Sequence, residues 1–186
     1  MASNVESLRF NALRNALYHT GRRRAFERWN RFFNFLVILL GAAAMSDVMH
    51  RFGIDQLWVG AAISVVAAAQ LAFDFGRSAR DHQALQRDYY YLLAEIDDCI
   101  DCDEAKCAAW AGKMTRIAGD EPPVLRAIDA KAYNDALDAI DSYGAGEHLY
   151  IPFYQKIFGS VFAFDGYNYR KLSERPNCRP AQIAAK

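Results

Sequence analysis

Three cysteines fall within nine residues in CIDCDEAKC, positions 99–107 of this 186-residue chain. Cys99 and Cys102 have the Cys-x-x-Cys spacing of half a metal or redox site. A structural zinc site takes four ligands, ordinarily with a second pair at similar spacing. The one remaining cysteine, Cys178, stands in the C-terminal tail, and His50, His82 and His148 have no ligand-like spacing. The group therefore reads as free thiols, and no metal or cofactor is expected. DDCID (97–101) matches the Asp-Asp-x-x-Asp pattern with which prenyl-transferring enzymes hold Mg²⁺ against a diphosphate. NDALDAID (134–141) places Asp135, Asp138 and Asp141 on one helical face. Such enzymes need a larger helical barrel and a basic diphosphate-binding loop, so both rows read as solvated acidic faces. No phosphate-cradling glycine loop, nucleophile elbow or His-Glu-x-x-His helix is present. The chain is not expected to be an enzyme.

A different set of polar residues stands where few belong. The run 32–49 is apolar but for Asn34, Ser46 and Asp47, and the run 57–75 is apolar but for Ser64, Gln70 and Asp74. A bilayer-spanning helix needs roughly 17–25 mostly apolar residues, because ~30 Å of hydrocarbon is crossed at ~1.5 Å per residue. The second run meets this comfortably and the first at the short end. The first run could imitate a cleaved export signal ending at Ala42-Ala43-Ala44, but 31 residues precede it and a second apolar run follows. Two buried core helices of a soluble protein are the other alternative.

The flanks favour a membrane hairpin. Arg22, Arg23, Arg24, Arg28 and Arg31 crowd before the first run, and Arg77 and Arg80 follow the second. The connector SDVMHRFGIDQ (46–56) carries one arginine, one histidine and two aspartates. Arginine-rich flanks stay cytoplasmic, so both termini are expected in the cytoplasm of a bacterial cell, with the connector across the inner membrane. Trp29 and Trp58 take aromatic-belt positions. The arginines would orient the hairpin, bind anionic headgroups, or both.

Folding the hairpin about residue 52 sets Asn34 at the depth of Gln70 and Arg31 at that of Asp74. Polar side chains in lipid face partners or water. These are therefore expected to be two interhelical contacts, unless Arg31 and Asp74 simply reach the headgroups. Asn34, Ser64, Gln70 and Asp74 are the candidate lining or contact residues. Gly60, Ser64 and Ala68 form a small-xxx-small row for close packing, within the hairpin or between protomers.

The rest of the chain suits a larger water-facing portion. Mean hydropathy is −0.12. The 22 basic and 22 acidic residues cancel, which leaves no net field for nucleic acid. Residues 1–31 form an N-terminal cytoplasmic region, helical from 3, with Ser3 and Glu6 as a capping box and Leu13, Leu17 and Phe26 on one side. Gly21 weakens its middle. Leu85, Tyr89, Leu92, Leu93 and Ile96 recur at helical spacing with no breaker before them, so the second span continues into a long helix. Further helices are expected over 103–118, with Cys107, Trp110, Met114 and Ile117 inward, and after GDEPPV, with Leu125, Ile128, Ala132, Leu137 and Ile140 inward and Gly144 as a stop. The segment 152–165 either lies flat on the membrane or packs on these helices. The class is all-α: an N-terminal region 1–31, a transmembrane hairpin 32–75, a cytoplasmic helical region 76–170 and a tail 171–186.

The order of these parts carries a family likeness. ALYHTGRRRAFERWNRFF (16–33), the two short spans, LAFDFGRSARDHQALQRDYYYLLAEI (71–96) and DEPPVLRAIDAKAYNDAL (120–137) resemble SLATT-type proteins over most of residues 8–165. The resemblance implies a two-span helical membrane protein of a bacterium or phage. Many such proteins are effectors of nucleotide-signalled defence systems that oligomerise and permeabilise the inner membrane. It supplies no catalytic residues. It implies a homo-oligomer in the bilayer whose trigger comes from a partner protein or nucleotide-signal sensor. The alternative is a non-conducting scaffold or accessory subunit docking a partner complex.

Overall fold

A computed structural model describes residues 2–44, 53, 55–140 and 144–174 of the chain. The helices are α1 (Ala2–Ala44), α2 (Gln56–Phe73), α3 (Phe75–Asp97), α4 (Glu104–Gly119), α5 (Arg126–Ile140) and α6 (Phe153–Phe158), with 3₁₀ turns at Ala145–Glu147 and Leu172–Glu174. Extended pairing among the described residues is limited to one antiparallel bridge, Leu149 with Lys171. The fold is all-α. The chain divides into two units. The larger comprises Met1–Arg22 and His82–Lys186, the smaller Arg23–Asp81. Most of the connector 46–56, including His50, and the end of the first expected span lie outside the described residues, as does Cys178.

The smaller unit holds the later part of α1, all of α2 and the first turns of α3. The stretch Gln56–Asp97 is long and apolar enough to cross a membrane, by length and composition, with a mean hydropathy of 1.6 in its best window. Asp55 caps α2 by accepting from the Leu57 N–H at 3.0 Å. The continuation expected from α2 into α3 is interrupted at Asp74, which sits in left-handed geometry at φ 35°, ψ 58°. Its N–H closes α2 onto the Gln70 carbonyl at 3.1 Å. Its carboxylate accepts from the Arg77 N–H, also at 3.1 Å, and so opens α3. Aspartate is among the few side chains that enter this region at modest cost, because it bonds the local backbone. Phe75 beside the break stacks on Phe33 (5.2 Å between centroids) and on Trp29 (6.4 Å). Asp74→Ala removes the cap while keeping the unfavourable φ. It is expected to cost the helix pair about 1–2 kcal/mol, with Asp74→Asn close to wild type; SDS titration of the protein in micelles, followed by helicity, measures both.

In the larger unit, α3 presents Leu85, Tyr89, Leu92 and Ile96 as a buried stripe at the expected spacing. Leu92 and Ile96 meet Ala12 of α1 and Cys107 and Trp110 of α4, with Val5, Leu8, Met114 and Ile117 around them. The buried face of α1 is made by Ala12, Ala16, Tyr18 and His19. The larger apolar residues Leu13 and Leu17 are only half-buried. Alanines at i and i+4 let a neighbouring helix approach closely, which is why they take the inner face. Gly21 serves the same end, standing 3.6 Å (from an ideal Cβ) off Ile128 of α5. Ala127, Ala130, Ala132, Ala136 and Leu137 bury α5, and Arg14 binds Asp129 through Nε at 2.9 Å. The helix after GDEPPV begins at Arg126, past both prolines. In 152–165, Gln155 and Gly159 face inward while Phe153, Tyr154, Ile157 and Phe158 are exposed.

Candidate functional site

The polar residues of the apolar helices come together in part. Gln70 Nε2 donates to Asn34 Oδ1 at 2.6 Å, joining α2 to α1. This is the pairing that the fold-back register implies. An open cleft of about 440 Å³ lies beside it, lined by Asn30, Gln70, Asp74 and Gly76 among others. Arg31 and Asp74 are engaged separately. Arg31 faces Glu27 one turn back at 4.0 Å, and Asp74 is the helix junction described above. Ser64 Oγ donates to its own helix at the Gly60 carbonyl, 2.9 Å away. Gly60, Ser64 and Ala68 are all exposed, and a Cβ built on Gly60 meets nothing within 4 Å among the described residues.

The arginines also divide. Arg23 pairs with Glu27 at 3.5 Å. Arg24, Arg28 and Arg31 are exposed. Arg22, which the sequence groups with the membrane-flanking set, is turned into the larger unit and donates to the Ser160 carbonyl at 3.0 Å.

Protein-family models, curated proteins and solved structures offer no match to this chain.

Chemistry that the sequence does not advertise is buried in the larger unit. His19 of α1 is fully buried and His82 of α3 nearly so. Their Nδ1 atoms stand 2.8 Å apart. At that separation one nitrogen must donate and the other accept, so the pair holds a single proton along this axis. His19 Nε2 lies 3.1 Å from Glu121 Oε1, in the loop after α4. Glu121 Oε1 also accepts from the Tyr89 hydroxyl at 2.5 Å. A tautomer assignment consistent with these distances puts a His19 proton on Nε2, on the side of Glu121, and the shared proton on His82 Nδ1. Tyr89 stacks on His19 at 5.7 Å, and Tyr18 meets His19 edge-on at 5.1 Å while its hydroxyl accepts from the Leu125 N–H at 3.0 Å.

The electrostatics follow from this packing. Burial, then the facing His19 and Arg22, lower His82 to about 4, with Glu121 opposing. Burial alone would raise Glu121, but its contacts with His19 and Tyr89 outweigh that and hold its carboxyl below the ordinary range. Burial and the bond to Glu121 push the Tyr89 hydroxyl up. The cluster sets the Glu121 carboxylate against two buried imidazoles and ties α1 to α3 and to the loop before α5. Spacing along the chain could not reveal it, since 63 residues separate the two histidines. One signal was present: His82 falls seven residues before Tyr89 on the same buried stripe.

Among the described residues, no group of three His, Cys, Asp or Glu side chains is arranged to hold a metal ion. Three members of the acidic rows take ordinary surface pairs. Asp97 meets Arg9 at 2.6 Å, Asp135 meets Lys131 at 2.6 Å and Asp138 meets His148 at 2.8 Å.

Proposed function

We propose that this chain is an integral protein of the bacterial inner membrane, built on the SLATT-type plan. Runs 32–49 and 57–75 cross as a hairpin, with both termini cytoplasmic. Copies associate, and the assembly perturbs or opens the bilayer as the effector of a defence or signalling system. A partner protein or a nucleotide-signal sensor supplies the trigger.

The observation that carries this reading is the bare apolar surface of α2. Only 6% of its most apolar window is buried, and Leu57 and Leu71 are 74% and 84% exposed. A core helix of a soluble protein hides such residues, whereas contiguous exposed apolar surface marks a lipid or protein interface. The Gln70–Asn34 bond fits the same setting, because an amide in hydrocarbon needs a partner. The exposed Gly60–Ser64–Ala68 row offers a second copy a close approach. Arg23, Arg24, Arg28 and Arg31 suit anionic headgroups, at about 1 kcal/mol per basic residue near the surface.

Dye leakage from liposomes, with particle stoichiometry in nanodiscs, tests the reading. A ring-forming oligomer that releases dye supports it, and no leakage in any oligomeric state overturns the effector role. Gln70→Leu strands the Asn34 amide and is expected to cost the hairpin about 1 kcal/mol in SDS titration. If these amides line a passage, the same change alters leakage.

A second reading is favoured by one observation. Phe153, Tyr154, Ile157, Phe158, Val161 and Phe162 all lie exposed on the larger unit. A scaffold that docks a partner through this face and conducts nothing would need such a surface. It predicts a single copy bound within a foreign complex, undisturbed by Gln70→Leu and lost on Phe153→Asp/Ile157→Asp.

A further inference from the structure

The loop from α3 to α4 turns the Cys102 thiol back onto Cys99. Cys102 Sγ donates to the Cys99 carbonyl at 3.4 Å. The Lys106 ammonium spans the loop, 3.6 Å from Cys99 Sγ and 2.9 Å from the Asp101 carbonyl. Ile100 between the thiols is 95% exposed, so the turn is open to solutes. Behind it, Cys107 is buried against Trp110, Leu92 and Ile96 and is shielded from reagents. From this geometry we infer that Cys99 and Cys102 form a reversible dithiol–disulfide centre, with Cys99 as the attacking sulfur and Cys102 as the resolving one.

Three features assign the roles. A thiolate is the nucleophile in exchange, and a neighbouring ammonium favours it. Lys106 stands against Cys99. Cys102 keeps its proton, its thiol pushed up to about 11 by the hydrogen bond to Cys99 before any other cause. The turn that holds Cys102 Sγ 3.4 Å from the Cys99 carbonyl keeps the second sulfur beside the first residue.

The co-reactant class is a small organic disulfide. The Cys99 thiolate attacks one of its sulfurs, the S–S bond breaks, and one thiolate leaves to take a proton from water. Cys102 then loses its proton to solvent and attacks the Cys99 sulfur, expelling the second thiolate. Two protein thiols are oxidised and one external disulfide is reduced to two thiols, so that two electrons and two protons are transferred in all. The same steps run backwards with excess small thiol. The closed ring would staple the end of α3 to the start of α4, where Cys99 and Cys102 pack on the same cluster as Val5 and Leu8 of α1.

The test uses the full-length chain in detergent, incubated with oxidised and reduced glutathione at several ratios, alkylated, and mapped by mass spectrometry of peptides. The expected product is a Cys99–Cys102 linkage within one chain, reopened by excess reduced glutathione and retained in Cys107→Ser. Cys99→Ser should abolish it. Cys102→Ser should stop at the Cys99–glutathione mixed disulfide. Lys106→Gln should slow the reaction of Cys99 with dithiodipyridine by roughly 3–10-fold at neutral pH. A linkage to Cys107, a linkage between chains, or alkylation of both thiols at every glutathione ratio overturns the assignment.

Discussion

Lowering the pH from 7 to 4 is expected to destabilise the larger unit by about 3 kcal/mol through His82 alone. In the unfolded chain this imidazole takes up a proton near 6.5, whereas in the fold it does so only at about 4. Between those values the unfolded state binds the extra proton and the folded state does not, so stability falls as pH falls through that window. A shift of this size is worth about 3 kcal/mol at 1.36 kcal/mol per unit. Burial justifies the conversion, since only 3% of His82 is exposed. The structural cause is burial: with the shared proton already on His82 Nδ1, the incoming proton goes to Nε2 of a ring shut off from water, with His19 and Arg22 beside it. Charged or titratable groups around the pair include Arg22, Glu121, Tyr18 and Tyr89. Arg22 opposes a further positive charge and Glu121 favours one. Glu121 adds its own loss at lower pH, because its carboxyl is held below the usual range in the fold and that contribution disappears as it protonates.

Urea midpoints at pH 7, 6, 5 and 4 measure this, with Trp29→Phe and Trp58→Phe in place so that the signal comes from buried Trp110. His82→Gln should be less stable at pH 7 but should lose the slope between pH 6.5 and 4. A wild-type midpoint flat across that window, or an unchanged slope in His82→Gln, would refute the assignment of the pH dependence to buried His82.

Gly159→Ala is the second large effect. Gly159 closes α6 by donating its N–H to the Gln155 carbonyl at 2.8 Å. A Cβ at this position would lie 2.4 Å from that same carbonyl oxygen and 2.8 Å from Ala127 Cβ of α5. Neither neighbour is the end of a flexible side chain: one is backbone and the other is a buried Cβ. The turn and α5 must part, at a cost of about 1–3 kcal/mol as in other overpacked sites. Ala127→Gly in the same chain relieves only one of the two clashes, so partial recovery is expected. Gly119→Ala is the control, because nothing stands within 4 Å of its added methyl. The Trp110 urea midpoint reads all three, and a Gly159→Ala midpoint equal to wild type would show that α6 is not seated on α5 in this way.

Several parts of this molecule are legible in the amino-acid sequence. The buried stripe Leu85–Tyr89–Leu92–Ile96 follows from helical periodicity alone, as do Cys107 and Trp110 on α4. The Asn34–Gln70 pairing follows from a fixed rise per residue and a turn near residue 52. Other parts were hidden for identifiable reasons. Hydrophobicity pointed to Leu13 and Leu17 as the inner face of α1, yet the smaller Ala12 and Ala16 are the fully buried residues, Ala12 against α3 and α4. Asp74 looked like a charge at a span's edge. Its use as the cap of two helices at once depends on a left-handed φ that no composition reveals. Arg22 is chemically identical to the arginines after it, and its bond to the Ser160 carbonyl depends on tertiary placement that composition does not reveal.

From the sequence came an all-α chain with two apolar runs, because helical periodicity and the length of an apolar run are local properties; among the described residues one helical stretch, Gln56–Asp97, is long and apolar enough to cross a bilayer. Tertiary structure decided which groups share a proton, a cap or a close contact. His19 meets His82, and Gly159 meets Ala127, across separations over which local periodicity carries no register. The burial that removes water from His82 is supplied by α1 and the surrounding helices together, and by no element alone.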